Sequence, residues 1–267
     1  MIAAIIQARM GSSRLPKKIM LPILGKPVLE HMINRVKKAK KLEDIIVATS
    51  ENKEDDIIEK FCIDQKLKYF RGSENDVLSR YYEAAKKFSV NTIVRLTSDT
   101  PLLDPKIIDY VISKYQEGEY DFVSNFFPLP RTYPDGYNIE VFSKNVLEIA
   151  HKKAQKPSDR EHVTTFITMQ PDKFTKYRLD TEKDFSKYRL NLDYIEDFKL
   201  IKAVFEEFKD KEFDLRDIIN WLDDNPEILK INSHIKPYEN LLKSFEEDEK
   251  KGFDTYEKNF YLNKEEN

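Results

Sequence analysis

The chain has 267 residues, 40% of them hydrophobic and 35% charged, which allows one large α/β domain or one domain with a helical appendage. Its 45 basic and 48 acidic residues give a net charge of 45 − 48 = −3, so no basic excess points to nucleic acid, and an anionic ligand would need a local basic cluster. One cysteine, Cys62, excludes an internal disulfide framework, and no signal peptide or membrane span is recognised, so we expect a cytoplasmic protein.

The first half of the chain alternates short apolar runs with amphipathic stretches. The runs predict five buried strands, at 2–6, 44–48, 67–70, 92–96 and 121–124. The stretches between them predict helices, with Asp76 and Asp104 as N-caps. This alternation predicts an α/β fold with a mostly parallel sheet covered by helices on both faces. In such sheets, ligands bind beyond the carboxyl ends of the strands.

The second half is less regular. Segment 126–142 carries three prolines and a Pro-Asp-Gly turn signal. Beyond it we expect Ser143 to cap a helix and Ser158 or Asp159 to cap another. The remaining predicted elements are a strand at 138–142, a helix at 144–155, strands at 173–179 and 188–192, a helix at 195–208, and two short helices separated by Asn225–Pro226. From about Asp248 the chain is polar.

A basic loop, in AIIQARMGSSRLPKK (residues 4–18), follows the first predicted strand directly. Gly11 lets the backbone approach an anion closely, and successive backbone amides in such a turn can bind phosphate oxygens. Arg9, Arg14, Lys17 and Lys18 add four cations. The loop therefore predicts a phosphate site, although it has neither GxxxxGK[ST] nor GxGxxG, and a solvated loop with incidental basic residues is the alternative.

Acidic side chains follow two other predicted strands. Asp99, in RLTSDTPLLDP, and Asp193, in RLNLDYIEDF, are placed to hold Mg²⁺, which bridges phosphate oxygens; simple loop or helix caps are the alternatives. Arg71 and Ser73 follow the third strand, where they could meet a base or ribose. His162, in SDREHVT, is either a base or ligand or, more commonly for a lone helical histidine, structural.

These motifs occur in an order that resembles one family. The segments IIQARMGSSRLPKK, GKPVLEHMINR, FRGSENDVLSRYYEAAKK, RLTSDTPLLDP, YPDGYNIEVFS, REHVT and LDYIEDF resemble those of spore-coat-polysaccharide-type cytidylyltransferases, which are relatives of CMP-sialic acid and CMP-Kdo synthetases. The resemblance covers about residues 1–208, and 231–244 resembles tails of some members. It implies a Rossmann-like nucleotide-diphospho-sugar transferase fold, in which an acceptor oxygen attacks the α-phosphorus of CTP and pyrophosphate leaves.

The resemblance also assigns roles to residues. It implies catalytic roles for Arg14, Lys18, Asp99 and Asp193, the last two as ligands of Mg²⁺. The nucleotide would contact Ala8, Arg9, Gly11, Ser12, Arg14, Lys18, Arg71, Ser73, Asp76 and Thr97. The acceptor would contact Arg131, Asp135, Glu140, Arg160 and His162. Relatives commonly read Asp-Thr-Pro-Glu-Asp where this chain has Asp193-Tyr-Ile-Glu-Asp, so the aspartate is kept and the proline is not.

The expected organisation is a nucleotidyltransferase domain at 1–210, a helical extension at 211–247 and a polar tail at 248–267, with 126–142 as an acceptor lid or a dimer arm. The implied reaction transfers CMP from CTP to an acidic, nonulosonic-acid-like sugar or similar anion for cell-surface polysaccharide. The expected partners are CTP and a small anionic acceptor, with no nucleic acid or membrane and with a homodimer left open. A phosphorylated or phosphonate acceptor, a glycosyltransferase and a non-catalytic nucleotide binder are the alternatives.

Overall fold

The structure is a computed structural model that describes residues 1–170, 172–209, 211–236, 238–254 and 256. Its strands are β1 (Ile2–Gln7), β2 (Pro22–Ile23), β3 (Lys26–Pro27), β4 (Asp44–Ser50), β5 (Lys68–Gly72), β6 (Thr92–Thr97), β7 (Phe122–Ser124), β8 (Glu140–Ser143) and β9 (Lys176–Arg178). Its helices are α1 (Val28–Val36), α2 (Asp56–Asp64), α3 (Val77–Lys87), α4 (Pro105–Gln116), α5 (Lys144–Lys153), α6 (Pro157–His162), α7 (Thr165–Thr168), α8 (Ile195–Glu207), α9 (Leu215–Asp224), α10 (Pro226–Leu229) and α11 (Glu239–Lys250).

Seven strands form one sheet in the order β5-β4-β1-β6-β8-β7-β9. All pairs are parallel except those that involve β8, which is antiparallel to both β6 and β7. The predicted α/β class with a mostly parallel sheet is therefore confirmed. The chain leaves β1 toward β4 on one side and returns to β6 on the other, which makes the β1–β6 boundary the point where strand order reverses.

The core lies on both faces of this sheet because neighbouring strand residues point to opposite sides. In β1, Ala4 and Ile6 pack in the layer that holds α1, α4 and α8. Ala3 and Ile5 pack in the other layer, with α3 and α5. Cys62 is fully buried, as its apolar neighbours predicted, and burial raises the pKa of its thiol to about 12.

Three predicted helix caps are confirmed. The side chains of Asp76, Asp104 and Ser143 each accept a hydrogen bond from a backbone amide in the first turn of α3, α4 and α5. The cap predicted at Ser158 or Asp159 is wrong, because α6 begins at Pro157 with Lys156 as N-cap. Val163, at φ +67°, then ends α6, so two short helices replace the single one expected.

The second half differs from its prediction in two strands. Of the strand predicted at 173–179, only Lys176–Arg178 forms a strand, which pairs with β7. The strand predicted at 188–192 does not form, and this segment has a single parallel bridge, between Asp135 and Arg189. Backbone bonds from Asp135 N to Tyr188 O and from Leu190 N to Asp135 O hold that bridge. Segment 126–142 buries Tyr133 and Tyr137 in the chain's own core; its role as lid or dimer arm stays a prediction.

Among the described residues, the C-terminal extension forms three helices, α9, α10 and α11, where two were predicted, and Asn225 separates the first two as expected. The tail predicted from 248 begins inside α11, where Asp248 is buried and accepts a hydrogen bond from Ser158 N at 3.2 Å. Residues 257–267 of that tail lie outside the described residues. Within the described part of the chain, no helix is long and apolar enough to cross a membrane.

Gly136 provides a test of the packing between segment 126–142 and the chain before Asp193. Its φ is +94°, and a Cβ there would lie 2.4 Å from Leu190 C, which is backbone. Gly136→Ala should therefore lower the free energy of unfolding by more than ~3 kcal/mol in urea denaturation. Gly118→Ala, at φ +83° with open space around it, should cost only about 1–2 kcal/mol. Equal losses in the two variants would contradict the steric argument.

Asp159 provides a test of the contact between α6 and Tyr256 in the C-terminal tail. Burial raises the pKa of this carboxyl from 3.8 to about 6, although the Tyr256 hydroxyl donates to it at 3.0 Å. A raised folded-state pKa stabilises the fold below pH 3.8, and this stabilisation is lost as pH rises through 6. Asp159→Asn should thus raise the free energy of unfolding at pH 8 by about 1–3 kcal/mol, which appears as a higher melting temperature. At pH 4 the melting temperature should change little. An equal shift at both pH values would contradict it.

Candidate active site

A cavity of about 340 Å³ opens at the point where strand order reverses, beyond the carboxyl ends of β1 and β6. The β1–β6 register places Gln7 beside Thr97, so the basic loop after β1 and the acidic loop after β6 begin side by side. The sequence predicted both loops at this edge, and the structure places them on the walls of one cavity.

The basic loop is held in place by a buried carboxylate that the sequence analysis did not single out. Asp55, fully buried, accepts a hydrogen bond from Met10 N at 2.6 Å and two from Ser50. Ala8 N also donates to Ala48 O at 3.0 Å. At Gly11 an added Cβ would lie 3.0 Å from a Glu54 side-chain oxygen, so the loop runs close to its neighbours there. The chain is thereby shaped before any ligand binds.

Lys18 lies between the two predicted metal carboxylates. Its Nζ donates to Asp99 Oδ2 at 3.0 Å, to Asp193 Oδ1 at 2.9 Å and to Leu192 O at 2.8 Å. Burial by itself would lower the pKa of this ammonium, but the two carboxylates more than offset it and raise the pKa above its ordinary value. Lys18 therefore stays charged across the neutral range and holds the two acids together.

Asp193 is placed by contacts rather than by the predicted strand. Leu192 N donates to Asp99 O at 2.8 Å, which ties the two acidic loops together. Buried Asp197 accepts from Asp193 N and from Tyr194 N, both at 2.9 Å, and so fixes the turn into α8. Burial alone would raise the pKa of Asp193, but Lys18, Arg14 and Arg189 together lower it, and the group is an anion at neutral pH.

Arg14 joins the basic loop to the acidic side of the cavity. Its Nη2 lies 2.6 Å from Asp193 Oδ1, and its guanidinium lies over the Tyr194 ring at 5.0 Å. Its Nη1 donates to Asn240 Oδ1 at 2.9 Å. A phosphate group that entered here would meet a guanidinium already oriented by an acid, an aromatic ring and an amide.

The donor set at Asp99 and Asp193 fits a Mg²⁺ ion that also binds phosphate. Both carboxylates point at one ammonium nitrogen, so a single cation already bridges them. Among the residues that the structure describes, no group of three or more His, Cys, Asp or Glu side chains could hold a metal by itself. Two carboxylates are nevertheless what Mg²⁺ commonly takes from protein when phosphate and water complete its shell.

The cavity brings together many of the predicted site residues. Lining it are Ala8, Arg9, Gly11, Ser12, Arg14, Lys18, Thr97, Asp99, Asp135, His162 and Asp193. His162 donates or accepts at Ser244 Oγ, 2.9 Å away, and burial lowers the pKa of its ring, which is neutral at pH 7. The remaining predicted residues do not line the cavity, namely Arg71, Ser73, Asp76, Arg131, Glu140 and Arg160.

Local ion pairs explain most of these departures. The Arg71 guanidinium donates hydrogen bonds to two backbone oxygens and two carboxylates, those of Ser50, Asn52, Asp56 and Glu59 respectively. Asp76 and Arg160 pair with each other, although one was predicted to meet the nucleotide and the other the acceptor. Glu140 is fully buried against Arg95 and Thr164. Arg131 bonds Asp135 at 3.2 Å and lies over the Tyr238 ring, so it contacts two residues that line the cavity without lining it itself.

The structure adds lining residues that the sequence analysis missed. Arg80, on α3, is 2% exposed, and its Nε has no hydrogen-bond partner among the described residues. The signal for it was present, because an arginine stands on the apolar face of α3 between Val77 and Ala84. The other missed residues are Gln7, Ser13, Val77, Arg95, Ser98, Phe126, Asn138, Glu161, Arg189, Asn191, Tyr194, Lys236, Tyr238, Glu239, Asn240 and Leu241.

A mostly parallel sheet with a basic loop, two acids and a lysine at its switch point is an arrangement suited to a nucleotidyltransferase. The sequence profile described as Cytidylyltransferase matches residues 3–264, and the chain belongs to this family. It is a CTP-dependent nucleotidyltransferase of the cytidylyltransferase class, as the resemblance in sequence indicated.

Three similar proteins support the assignment. Spore coat polysaccharide biosynthesis protein SpsF of Bacillus subtilis is 33% identical over 85% of this chain and 95% of its own length. A cytidylyltransferase structure from Leptospira borgpetersenii serovar Hardjo-bovis is 38% identical, covers 89% of this chain and 98% of its own, and superposes with a TM-score of 0.82. The 8-amino-3,8-dideoxy-manno-octulosonate cytidylyltransferase of Shewanella frigidimarina is 32% identical over 48% of this chain and 54% of its own length.

Substitutions of Arg80 and Arg71 should have different effects on the affinity for CTP. Arg80→Met should weaken CTP binding about 10- to 100-fold in isothermal titration calorimetry, because a charge-assisted contact is lost from the cavity. Arg71→Met should leave CTP affinity within about twofold, since its guanidinium is bound by residues outside the cavity. Thermal melts of both variants control for folding. A larger loss in the Arg71 variant would restore its predicted contact with the nucleoside.

Proposed function

We propose that this enzyme transfers CMP from CTP to an acidic sugar, with Mg²⁺ as the cofactor and pyrophosphate as the leaving group, in the synthesis of a cell-surface polysaccharide. The observation that carries the proposal is the contact of Lys18 with both Asp99 and Asp193 at the end of the basic loop. That arrangement supplies a cation for phosphate and two acids for a metal in one place. A cytoplasmic location and a homodimer remain predictions.

The protein side chains supply positioning and charge rather than a covalent intermediate. The proposed triphosphate lies along the backbone of the basic loop, within reach of Arg9, Arg14 and Lys18. Mg²⁺, when bound by Asp99 and Asp193, would offset phosphate charge. The acceptor hydroxyl attacks the α-phosphorus as the bond to the β-phosphate oxygen breaks, and the hydroxyl proton goes to a base or to solvent. Preformed contacts around Lys18 reduce the reorganisation that this step requires.

The acidic-sugar assignment is supported by names and by charge. The Shewanella relative is named for an octulosonate, which is an acidic sugar, and the Bacillus relative for polysaccharide biosynthesis. The cavity also contains polar and aromatic groups suited to a hydroxylated ligand, such as Asn138, Asn191 and Tyr194. The second candidate, an acceptor that carries phosphate or phosphonate, uses the same nucleotide half and is favoured only by the number of lining cations.

A panel assay tests the proposal directly. The purified enzyme with Mg²⁺ is incubated with CTP, ATP, GTP or UTP and with 3-deoxy-manno-octulosonate, its 8-amino-8-deoxy analogue, N-acetylneuraminate or a sugar phosphate, and pyrophosphate release is measured. Pyrophosphate release from CTP with an acidic sugar supports the proposal. Release with the sugar phosphate alone would support the second candidate. Breakdown of a CMP-sugar to CMP without pyrophosphate would instead favour a glycosyltransferase.

The metal acids give a separate prediction. Asp99→Asn and Asp193→Asn should each reduce kcat of CTP-dependent pyrophosphate release by roughly 10²–10³-fold, because each removes one charge that faces Lys18 and the proposed metal. Asp64→Asn removes an exposed surface acid, whose ion pair within the described part of the chain is with Lys60, and serves as the matched control. Turnover within tenfold of wild type in both site variants would remove the metal assignment.

A further inference from the structure

The C-terminal extension lines part of the cavity and is anchored both before and after its lining residues in the sequence. On one side, Asn232, which is buried, donates to Arg189 O at 3.0 Å and to Asp197 Oδ1 at 2.8 Å. On the other, Phe245 and Asp248 of α11 are buried. The chain between these anchors contributes Lys236, Tyr238, Glu239, Asn240 and Leu241 to the cavity lining. The extension is thus one wall of the site.

Polar contacts hold this wall against the rest of the cavity. Arg14 donates to Asn240, and the Tyr194 hydroxyl donates to Glu239 Oε2 at 2.8 Å. Farther along α11, Ser244 lies 2.9 Å from His162 Nε2. Because Arg14 also pairs with Asp193, these contacts connect Glu239 and Asn240 to the acidic side of the cavity.

The charges of the lining residues single out two cations. Seven Lys or Arg side chains line the cavity, and in the described chain five of them form an ion pair with an acid, namely Arg9, Arg14, Lys18, Arg95 and Arg189. The other two, Arg80 and Lys236, form no ion pair with a described residue. Arg80 is buried and Lys236 is exposed, and a cation that lines a cavity without an acidic partner is suited to an anionic ligand.

These two cations belong to different halves of the site. Arg80 stands on α3, close enough to Arg9 of the phosphate loop for the two charges to act on each other. Lys236 is two residues from Tyr238, whose ring lies 5.1 Å under the Arg131 guanidinium. Arg131 in turn pairs with Asp135, which lines the cavity and was predicted to face the acceptor. Lys236 is therefore on the acceptor half.

The side chain of Asn138, also on this half, has an oxygen to which a sugar hydroxyl could donate a hydrogen bond. Asn138 lines the cavity, and its Oδ1 is buried without a hydrogen-bond partner among the described residues. Asn138 is three residues beyond Asp135 in the sequence. A buried amide oxygen that receives no hydrogen bond lowers stability unless a ligand hydroxyl or a water molecule donates to it. The acceptor half thus offers a cation for an anionic group and an acceptor oxygen for a hydroxyl.

We propose that the C-terminal extension forms the acceptor-binding wall of the active site and that Lys236 binds the carboxylate of the acidic acceptor, while Asn138 accepts from one of its hydroxyls. This assignment rests on the proposed function, since it presumes that the acceptor is an acidic sugar. It gives the extension a direct part in substrate choice, and it separates the recognition of the nucleotide by the loop after β1 from the recognition of the acceptor by Lys236 and its described neighbours at 238–241.

The test compares Lys236→Met with Lys243→Met, which removes an exposed lysine of the same segment that does not line the cavity. Each protein is loaded with CMP, and the Kd of 3-deoxy-manno-octulosonate and of its methyl ester is measured by saturation-transfer NMR titration. Wild type and Lys243→Met should prefer the acid by about tenfold or more, and Lys236→Met should lose that preference. The CTP affinity from calorimetry should stay within about twofold in all three proteins.

The outcomes separate this inference from the proposed function. A Lys236→Met variant that still prefers the acid, or a wild type with no such preference, would overturn the assignment of Lys236 to the carboxylate. A parallel fall in CTP affinity would overturn it too, because Lys236 would then belong to the nucleotide half. Failure of the proposed function would appear differently, as wild-type enzyme that releases no pyrophosphate from CTP with any acidic sugar.

Discussion

The site depends on one ammonium group between two carboxylates. Asp99, which is partly buried, and Asp193, which is buried, come from distant parts of the chain, and two acids facing each other would repel unless a cation lay between them. Lys18 bonds both, so it fixes the distance between the loops after β1 and β6 and the turn that begins α8. A triphosphate with its metal would enter a place already shaped by charge, which is the condition under which electrostatic catalysis requires little movement.

The contacts that support this arrangement reach beyond the predicted catalytic domain. Asp197 fixes the turn at Asp193, Arg189 bonds Asp197 at 2.8 Å, and Asn232 of the extension bonds Asp197 as well. Residues 211–247 were expected as an appendage to a domain at 1–210. In the structure they share buried hydrogen bonds with the centre of the site and line its mouth, so a change in the extension is expected to alter the site itself.

Arg71 and Arg80 show where sequence reasoning stopped. Both follow the strand predicted at 67–70, and Arg71 is nearer to its carboxyl end, so the strand-end rule and the resemblance favoured it. Its side chain instead meets Asp56 and Glu59, which the sequence does not place beside it. Arg80 reaches the cavity because α3 turns its apolar face, with Arg80 on it, toward the sheet. The direction of a long side chain depends on neighbours that only folding brings near.

The sequence by itself determined the alternation of strands and helices, the caps at Asp76, Asp104 and Ser143, and the loop after β1 with its acidic counterpart at Asp99, because these follow from local periodicity and from the rule for strand ends. Only the tertiary structure decided which lining cations have no acidic partner among the described residues. It also decided that Asp193 is held by Asp197 rather than by a strand, and that Lys236 and residues 238–241 line the cavity. These depend on contacts between residues far apart in the chain, which no local pattern records.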